Sequence, residues 1–204
     1  MENLKSQLQI NNPILMYVGN LETYQGIDLL LESFALVLQQ TDKIDLVIIG
    51  GEVTDIQKYE KKATVLGIET KVHFCGAKPT NQLSQYLAQA DILVSPRIKG
   101  KNTPMKIYSY LDSGKAVLAT DLLTHTQVID RHVAMLAQPN AEDFAQGMLT
   151  LINNPPLRAT LALRAKQLIQ DKHSYQAFSQ KLNTLYDWLK DPMNESQVQA
   201  RWSR

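Results

Sequence analysis

Apolar runs that end at glycine alternate along the chain with segments of helical period. Residues 14–18 form a continuous apolar run closed by Gly19, which is typical of a strand buried on both faces of a parallel sheet. The next segment, from about Gly26 to Gln40, has apolar residues at the spacing of one helix face. These residues are Ile27, Leu30, Leu31, Phe34, Val37 and Leu38. The two segments predict one strand–helix unit.

The same alternation continues to about residue 137. Further strands are predicted at residues 44–49, 72–74, 92–94, 117–119 and 133–137, with helical segments between the strands as far as Gly114. Strands that alternate with helices imply right-handed crossovers. The predicted fold class is therefore α/β, a doubly wound, Rossmann-like parallel sheet with helices on both faces.

Only helices are predicted after Pro139, at residues 141–152, 156 to about 172, and 174–190. Pro156 suits a helix N-terminus. We expect these helices to pack on the sheet, which gives a single domain over residues 1–190. Residues 191–204 are predicted to be a polar, flexible tail.

Composition and charge narrow the class of protein. The 204 residues are 44% apolar and 20% charged, as in ordinary globular proteins. A net charge of +1 gives no long-range field, which disfavours nucleic-acid binding by bulk attraction. Cys75, the single cysteine, cannot form an intramolecular disulfide, so a reducing compartment and a cytoplasmic location are predicted. No window approaches the roughly 20 apolar residues of a membrane span, and no secretory signal pattern is present.

The first loop, residues 19–26, follows the first predicted strand. In doubly wound sheets such loops form the ligand crevice, because helix N-termini converge there. Gly19 and Gly26 allow a close backbone approach, but their spacing fits neither the dinucleotide fingerprint nor the P-loop. A role of these glycines in turn geometry alone stays open.

The second loop, residues 96–106, is rich in cations. Arg97, Lys99, Lys101 and Lys106 lie within ten residues with no carboxylate between them. Asn102 or Thr103 is predicted to cap the helix that follows, with Pro104 in its first turn. Cations beside a helix start favour an anion site, which a bound phosphate would neutralise. The alternative is a solvated charged loop.

The third loop, residues 121–127, contains His125. A lone histidine without a paired carboxylate is more often structural than a general acid or base, so a structural role is favoured. The other histidines lack metal-ligand spacing, and no metal site is predicted.

The order of these motifs resembles the C-terminal, donor-binding domain of family 4 (group 1) glycosyltransferases, which have the two-domain GT-B fold and use nucleotide sugars. The shared motifs are YVGN at 17–20, IIGG at 48–51, VHFCG at 72–76, DILVSP at 91–96 and NTPMKIYSYLDSGKAVLATD at 102–121. The resemblance extends from about residue 13 to 188. Its specificity lies mostly in residues 104–121.

The chain departs from that family at four polar positions. An arginine and a lysine of the family's first loop, which hold the donor diphosphate, correspond here to Asn20 and Gln25. Two family glutamates, one facing the donor sugar and one the ribose, correspond to Lys101 and Ser109. Either the site has been rebuilt with cations of the second loop, or the domain is a degenerate, non-catalytic nucleotide-binding or regulatory module.

The distribution of charge favours the rebuilt site, because two cations are missing from the first loop while several lie in the second loop. The predicted donor-phosphate residues are Gly19, Asn20, Gln25, Arg97, Lys99, Lys101, Asn102, Thr103, Pro104 and Lys106. The resemblance implies that Phe74, Cys75 and Gly76 seat the base, chiefly through backbone, while Ser109 contacts the ribose. The periodicity also places the Phe74 side chain in the core. No catalytic residue is assigned.

The resemblance further implies sugar transfer from a nucleoside diphosphate donor with retained anomeric configuration, without a metal or other cofactor. An acceptor domain, supplied in the same chain or as a separate one, is the expected partner. The chain by itself is expected to transfer little or nothing. No nucleic-acid partner is predicted, and peripheral membrane association stays open for a full-length enzyme.

Overall fold

A six-stranded parallel sheet forms the centre of the computed structural model, which describes residues 3–190. Its strands are β1 (Ile14–Val18), β2 (Asp45–Ile49), β3 (Val72–Phe74), β4 (Ile92–Ser95), β5 (Ala116–Thr120) and β6 (Met135–Ala137). The strand order is β3-β2-β1-β4-β5-β6, and every neighbouring pair is parallel. The order reverses between β1 and β4, so the loops that follow these two strands flank the topological switch point.

Nine α-helices are described within residues 3–190. They are α1 (Leu4–Leu8), α2 (Ile27–Leu38), α3 (Val53–Val65), α4 (Leu83–Leu87), α5 (Lys106–Asp112), α6 (Leu123–Thr126), α7 (Ala141–Asn153), α8 (Pro155–Leu168) and α9 (Tyr175–Lys190). Right-handed crossovers put α2 and α3 on one face of the sheet and α4, α5 and α6 on the other. Helix α7 packs against α2. The predicted doubly wound α/β fold is confirmed.

The strands form because their apolar residues are buried on both faces. All five residues of β2 and all five of β5 are buried, as a central parallel sheet requires. The core between the sheet and the α2 face includes Leu30, Phe34, Phe144 and Met148, none of which is exposed to solvent. This core fixes the sheet on which the strand-end loops are mounted.

Some predicted boundaries differ from the structure. Strand β6 begins at Met135 rather than at residue 133, and α1 and α6 were not predicted. Both helices are shorter than two turns, too short for a clear apolar period. In place of one helix to about residue 172, the α-helical part ends at Leu168. A π-helix follows it over Ile169–His173.

The chain divides into two compact units, Met1–Lys166 and Gln167–Arg204. The first contains the whole sheet, and the second contains the π-helix and α9. The single domain over residues 1–190 stays a prediction. The predicted tail, 191–204, lies outside the described residues.

Candidate functional site

The first and second loops adjoin at the carboxyl edge of the sheet because β1 and β4 are neighbours. The backbone N–H of Ile98 donates to the carbonyl of Tyr24 at 3.0 Å. A Cβ atom at Gly26 would overlap the carbonyl of Pro96, and the φ of Gly26 is +77°. Gly26 is therefore required both by its backbone conformation and by the close approach of the second loop.

Lys106, the first residue of α5, reaches from the second loop into the first. Its Nζ lies 2.8 Å from the Tyr17 hydroxyl and 3.1 Å from Oε1 of Gln25. The same nitrogen lies 4.0 Å from the centre of the Tyr17 ring. Burial, reinforced by the positive charge of Arg97, lowers the pKa of Lys106 to about 7. The side chain is thus an amine that titrates near neutral pH, next to a loop predicted to bind phosphate.

Tyr17 is the residue of this cluster that the sequence did not reveal. Its side chain is fully buried, and its hydroxyl donates to the backbone carbonyl of Asn20 at 2.6 Å while it accepts from Lys106. Burial raises the pKa of Tyr17 far above its usual range, so the hydroxyl stays neutral. A tyrosine in an otherwise aliphatic strand, two residues before a glycine loop, was the available signal.

Gly19 supplies the space that this arrangement needs. A Cβ atom at Gly19 would lie 2.7 Å from Nζ of Lys106 and 2.9 Å from the Tyr17 hydroxyl. The role of turn geometry alone does not account for this glycine, because the close neighbours are side-chain polar atoms. The exposed Asn20 side chain donates to the Glu22 carboxylate at 3.1 Å.

Arg97 is the second cation near this cluster. It is partly buried, its guanidinium carbon lies 5.0 Å from the Tyr24 ring centre, and its Nε donates to the carbonyl of Lys99 at 2.7 Å. Its charge contributes to the lowered pKa of both Lys106 and His125. Arg97 is therefore near enough to Lys106 for its charge to disfavour the ammonium form of the lysine.

The other two cations of the second loop are exposed. Lys99 lines a cavity of about 530 Å³ together with first-loop residues, among them Tyr24, and with two residues of α3. Lys101 is anchored through its backbone, since its carbonyl accepts from Gln127 Nε2 at 2.8 Å. The four predicted cations therefore differ in exposure, since Arg97 and Lys106 are partly buried while Lys99 and Lys101 are exposed.

The predicted cap of α5 is wrong. The helix begins at Lys106, Met105 occupies the cap position, and no side chain caps it. Asn102 is instead bound to the third loop, its carbonyl accepting from Thr124 Oγ1 at 2.7 Å. Pro104 is buried ahead of the helix, and its carbonyl accepts from Ile107 N–H. Thr103 is partly buried and lies outside α5.

His125 is buried against residues of β4 and β5 and does not line the site. The ring is fully buried, with Nε2 2.9 Å from Ser95 Oγ and Nδ1 2.9 Å from the carbonyl of Thr120. The Nδ1–H therefore donates to Thr120, and Nε2 accepts from Ser95. Burial is the main cause of a pKa lowered to about 4, so the ring is neutral at physiological pH. This agrees with the structural role favoured for His125.

The residues predicted to seat a base follow β3. Phe74 is partly buried and packs against the hydrophobic core, as its period indicates. The N–H of Cys75 donates to the Ile48 carbonyl, and the Gly76 carbonyl accepts from Gly50 N–H at 2.7 Å. These two bonds hold the β3 loop beside the β2 loop, at the same edge of the sheet as Lys106.

Ser109 lies one helical turn after Lys106, on the side of α5 that faces α4. It lines a cavity of about 460 Å³ with Thr80, Asn81, Ser84 and Asp112. This cavity is distinct from the one that contains Lys99. Ser109, the predicted ribose residue, and Lys106, one of the predicted phosphate residues, thus lie on the same helix.

Residues 3–190 contain neither a candidate metal centre nor a candidate membrane-spanning helix. No group of three or more His, Cys, Asp or Glu side chains there could hold a metal ion. No helix in that range is long and apolar enough to cross a membrane.

A doubly wound parallel sheet with glycine loops at its carboxyl edge defines the class of Rossmann-like α/β domains. Within that class the sequence matches the family described as glycosyl transferases group 1 over residues 1–168. The chain belongs to this family.

A sequence relative and two solved structures are similar to this chain, and the two structures share its fold. The chain is 25% identical over 203 residues to the alpha-1,3/1,6-mannosyltransferase ALG2 of Dictyostelium discoideum, which covers 90% of this chain and 48% of that protein. Anabaena HepE in complex with UDP superposes with a TM-score of 0.79 at 21% identity, over 90% of this chain and 51% of HepE. The C-terminal domain of LpcC, a group 1 glycosyl transferase of Francisella tularensis, gives a TM-score of 0.73 at 21% identity, over 86% and 95% of the two chains. The chain spans about half the length of the curated relatives it matches.

Proposed function

We propose that this chain is the donor-binding half of a retaining glycosyltransferase, and that it binds a nucleoside diphosphate sugar. The observation that carries the proposal is Lys106, whose amine lies against the first loop with Tyr17 and Gln25 as its only hydrogen-bond partners among residues 3–190. A partly buried amine with no carboxylate partner favours an anionic ligand.

The diphosphate is the part of the donor that fits this site. Arg97 and Lys106 supply two cations at the switch point of the sheet, where α/β proteins bind phosphorylated ligands. As the sugar leaves, negative charge grows on the diphosphate, and fixed positive groups stabilise that charge. In this proposal Lys106 and Arg97 bind the leaving group, and the rest of the catalytic machinery belongs to an acceptor domain.

The remaining predicted contacts complete the donor site. Ser109 offers a hydroxyl to the ribose, and the backbone of Cys75 and Gly76 offers polar groups to the base. Sugar transfer then requires the acceptor domain, in the same or a separate chain, and the chain alone is proposed to be nearly inactive. We further propose a cytoplasmic location, no cofactor besides the donor, and no nucleic-acid partner.

A second candidate is a binding or regulatory module that has lost transfer chemistry. The Asn20 side chain, at a family cation position, donates to the Glu22 carboxylate, so this part of the first loop presents negative charge. A module of this kind would still bind nucleotide through Lys106 but would not transfer sugar when joined to an acceptor domain.

Calorimetric titration with UDP, GDP and ADP tests the donor-binding proposal. UDP is the first choice because the related fold of HepE was determined with UDP bound. We expect saturable binding of one diphosphate, which Lys106→Met and Arg97→Ala each weaken by roughly 1–3 kcal/mol, the size of a charge-assisted contact. Absence of saturable binding by all three nucleotides would contradict the proposal.

Two further variants of the second loop test whether the loss of UDP binding is specific to Lys106 and Arg97. Lys99→Ala and Lys101→Ala remove the same formal charge from exposed positions. We expect each to weaken binding less than Lys106→Met does, because exposed charges are screened by solvent and salt. Equal losses in all four variants would indicate attraction to the loop as a whole rather than a site built on Lys106.

A further inference from the structure

Lys106 has no negative partner among the described residues. Its Nζ contacts only neutral oxygens, those of Tyr17 and Gln25, at 2.8 and 3.1 Å. Lys62 shows the contrast within the same chain, because its Nζ lies 2.6 Å from carboxylate oxygens of both Asp28 and Glu32. The Lys62 ammonium is neutralised in the folded protein, whereas a Lys106 ammonium would not be.

The groups that face Lys106 from other elements do not change this balance. Tyr17 of β1 keeps its proton, since burial raises its pKa far above the usual range. Tyr110, one turn after Lys106 on α5 itself, is likewise buried, with a raised pKa, and bonds the Val18 backbone. His125 of α6 is neutral above about pH 5, because its pKa is lowered to about 4. Arg97 is positive and opposes a second positive charge.

We propose, resting on the donor-binding function above, that Lys106, whose Nζ has only neutral oxygens beside it, takes up one proton as the donor diphosphate binds. The step balances as a neutral amine, a proton from solvent and the diphosphate anion forming an ammonium–diphosphate pair. No other bond is made or broken. The donor and a proton therefore enter the site together.

The physical cause is the negative charge that the diphosphate adds beside the Lys106 amine. In the empty site burial and Arg97 disfavour the ammonium, and the pKa of about 7 reflects both effects. A diphosphate next to Nζ supplies the missing negative charge and raises this pKa. Donor affinity should then fall as the pH rises above 7, by up to about tenfold per pH unit while the bound amine keeps its proton.

Calorimetry at pH 8 measures this proton directly. At that pH the terminal phosphate of free UDP is ionised, since its pKa is about 6, so the nucleotide contributes no uptake of its own. UDP is titrated in buffers of different ionisation enthalpy, and the slope of the observed enthalpy against that enthalpy counts the protons. We expect roughly 0.5–1 proton taken up for each UDP bound, from an amine that is about nine-tenths neutral at this pH.

Lys106→Arg keeps a positive charge at this position but removes its titration, because arginine stays protonated. This variant should bind UDP with no proton uptake and with an affinity independent of pH between 7 and 9. Lys61→Met is the matched control, since Lys61 is an exposed lysine of α3, on the opposite face of the sheet from α5. It should keep the wild-type uptake.

The wild-type protein alone provides a second measurement, which holds even if Lys106→Arg does not fold. An NMR titration of the lysine Cε signals should show one lysine that titrates near pH 7 without UDP and at least one pH unit higher with UDP. Binding of UDP without proton uptake, or without a shifted lysine, would overturn this inference and leave the donor-binding function standing. Failure of all three nucleotides to bind would overturn both.

Discussion

The Nζ atom of Lys106 lies 3.1 Å from the side-chain oxygen of Gln25, although the two residues belong to different loops. Gln25 occupies a first-loop position where the resembling enzymes have a lysine that holds the donor diphosphate. A lysine amine therefore reaches this point of the first loop from α5 instead of from the loop itself. The side chain of Gln25 is buried, at 7% exposure, and its oxygen accepts the hydrogen bond from Lys106 that orients the lysine amine.

Gly19→Ala should disturb the Lys106 cluster directly. The added Cβ would lie 2.7 Å from Nζ of Lys106 and 2.9 Å from the Tyr17 hydroxyl, closer than van der Waals contact allows. Because the lysine side chain is flexible, we expect it to move, and UDP affinity to fall about tenfold or more, as for loss of a charge-assisted contact. Calorimetry with UDP measures the loss.

Gly67→Ala is the control for the backbone cost of this change. Gly67 also has a positive φ, +69°, but nothing lies within 4 Å of its added Cβ. It should lower the free energy of unfolding by about 1 kcal/mol, the cost of a left-handed alanine, without changing UDP affinity. Equal UDP affinity of Gly19→Ala and the wild type would show that the glycine serves only the turn.

Lys106→Met should make the nucleotide-free protein more stable at neutral pH. The pKa of Lys106 is about 7 in the folded chain and 10.5 when unperturbed, so between these values the unfolded chain binds a proton that the folded chain does not. The free energy of unfolding of the wild type should therefore rise with pH from 7 to 10.5, by about 2–4 kcal/mol from this group.

Urea denaturation at pH 7, 8 and 9 tests whether the free energy of unfolding rises with pH. The methionine variant lacks the titrating amine, so its stability should rise less with pH than that of the wild type. Lys61→Met, in which an exposed lysine is replaced, should keep the wild-type slope. Parallel slopes of the wild type and Lys106→Met would show that the amine is fully charged in the folded protein.

The fold could be predicted because its signals are local. Apolar runs closed by glycine mark β1 and β3, and each lies at its predicted residues. The stripe from Ile27 to Leu38 marks α2, since each of its positions faces the core. Burial in a parallel sheet requires such runs, so the sequence carries the pattern regardless of the ligand.

The site could be predicted only in part, because side-chain direction is not a local property. Arg97, Lys99 and Lys101 are similar in the sequence, yet only Arg97 turns toward the Tyr24 ring. The cap of α5 was wrong for a related reason. Asn102 binds Thr124 of a third loop, and no spacing within residues 96–106 indicates that contact.

Thr124→Val should loosen the second loop while keeping the shape of the buried side chain. It removes the 2.7 Å bond from Thr124 Oγ1 to the carbonyl of Asn102. We expect the free energy of unfolding to fall by about 0.5–1.5 kcal/mol, the net value of one hydrogen bond. Hydrogen exchange of residues 98–105 should be faster than in the wild type, and Thr126→Val, at an exposed threonine of α6, should leave it unchanged.

His125 should make the protein sensitive to acid. Its folded pKa is about 4 and its unperturbed pKa 6.5, so between these values the unfolded chain binds a proton that the folded chain excludes. The free energy of unfolding should therefore fall as the pH drops from 6.5 to 4, by about 2–3 kcal/mol from this residue. Protonation would also place a second donor, Nε2–H, against Ser95, in a pocket that Arg97 and Lys106 already make positive.

His125→Gln separates this contribution from that of the carboxylates, which titrate in both proteins. The variant should be less stable than the wild type at pH 7, because it loses the bonds to Thr120 and Ser95, but it should lose less further stability between pH 6.5 and 4. His132→Gln, at an exposed histidine, should follow the wild type. If His125→Gln does not fold, NMR titration of the wild-type imidazole answers the same question. A His125 ring that takes up its proton near pH 6.5 would show that the Ser95–Thr120 pocket does not exclude the charged form.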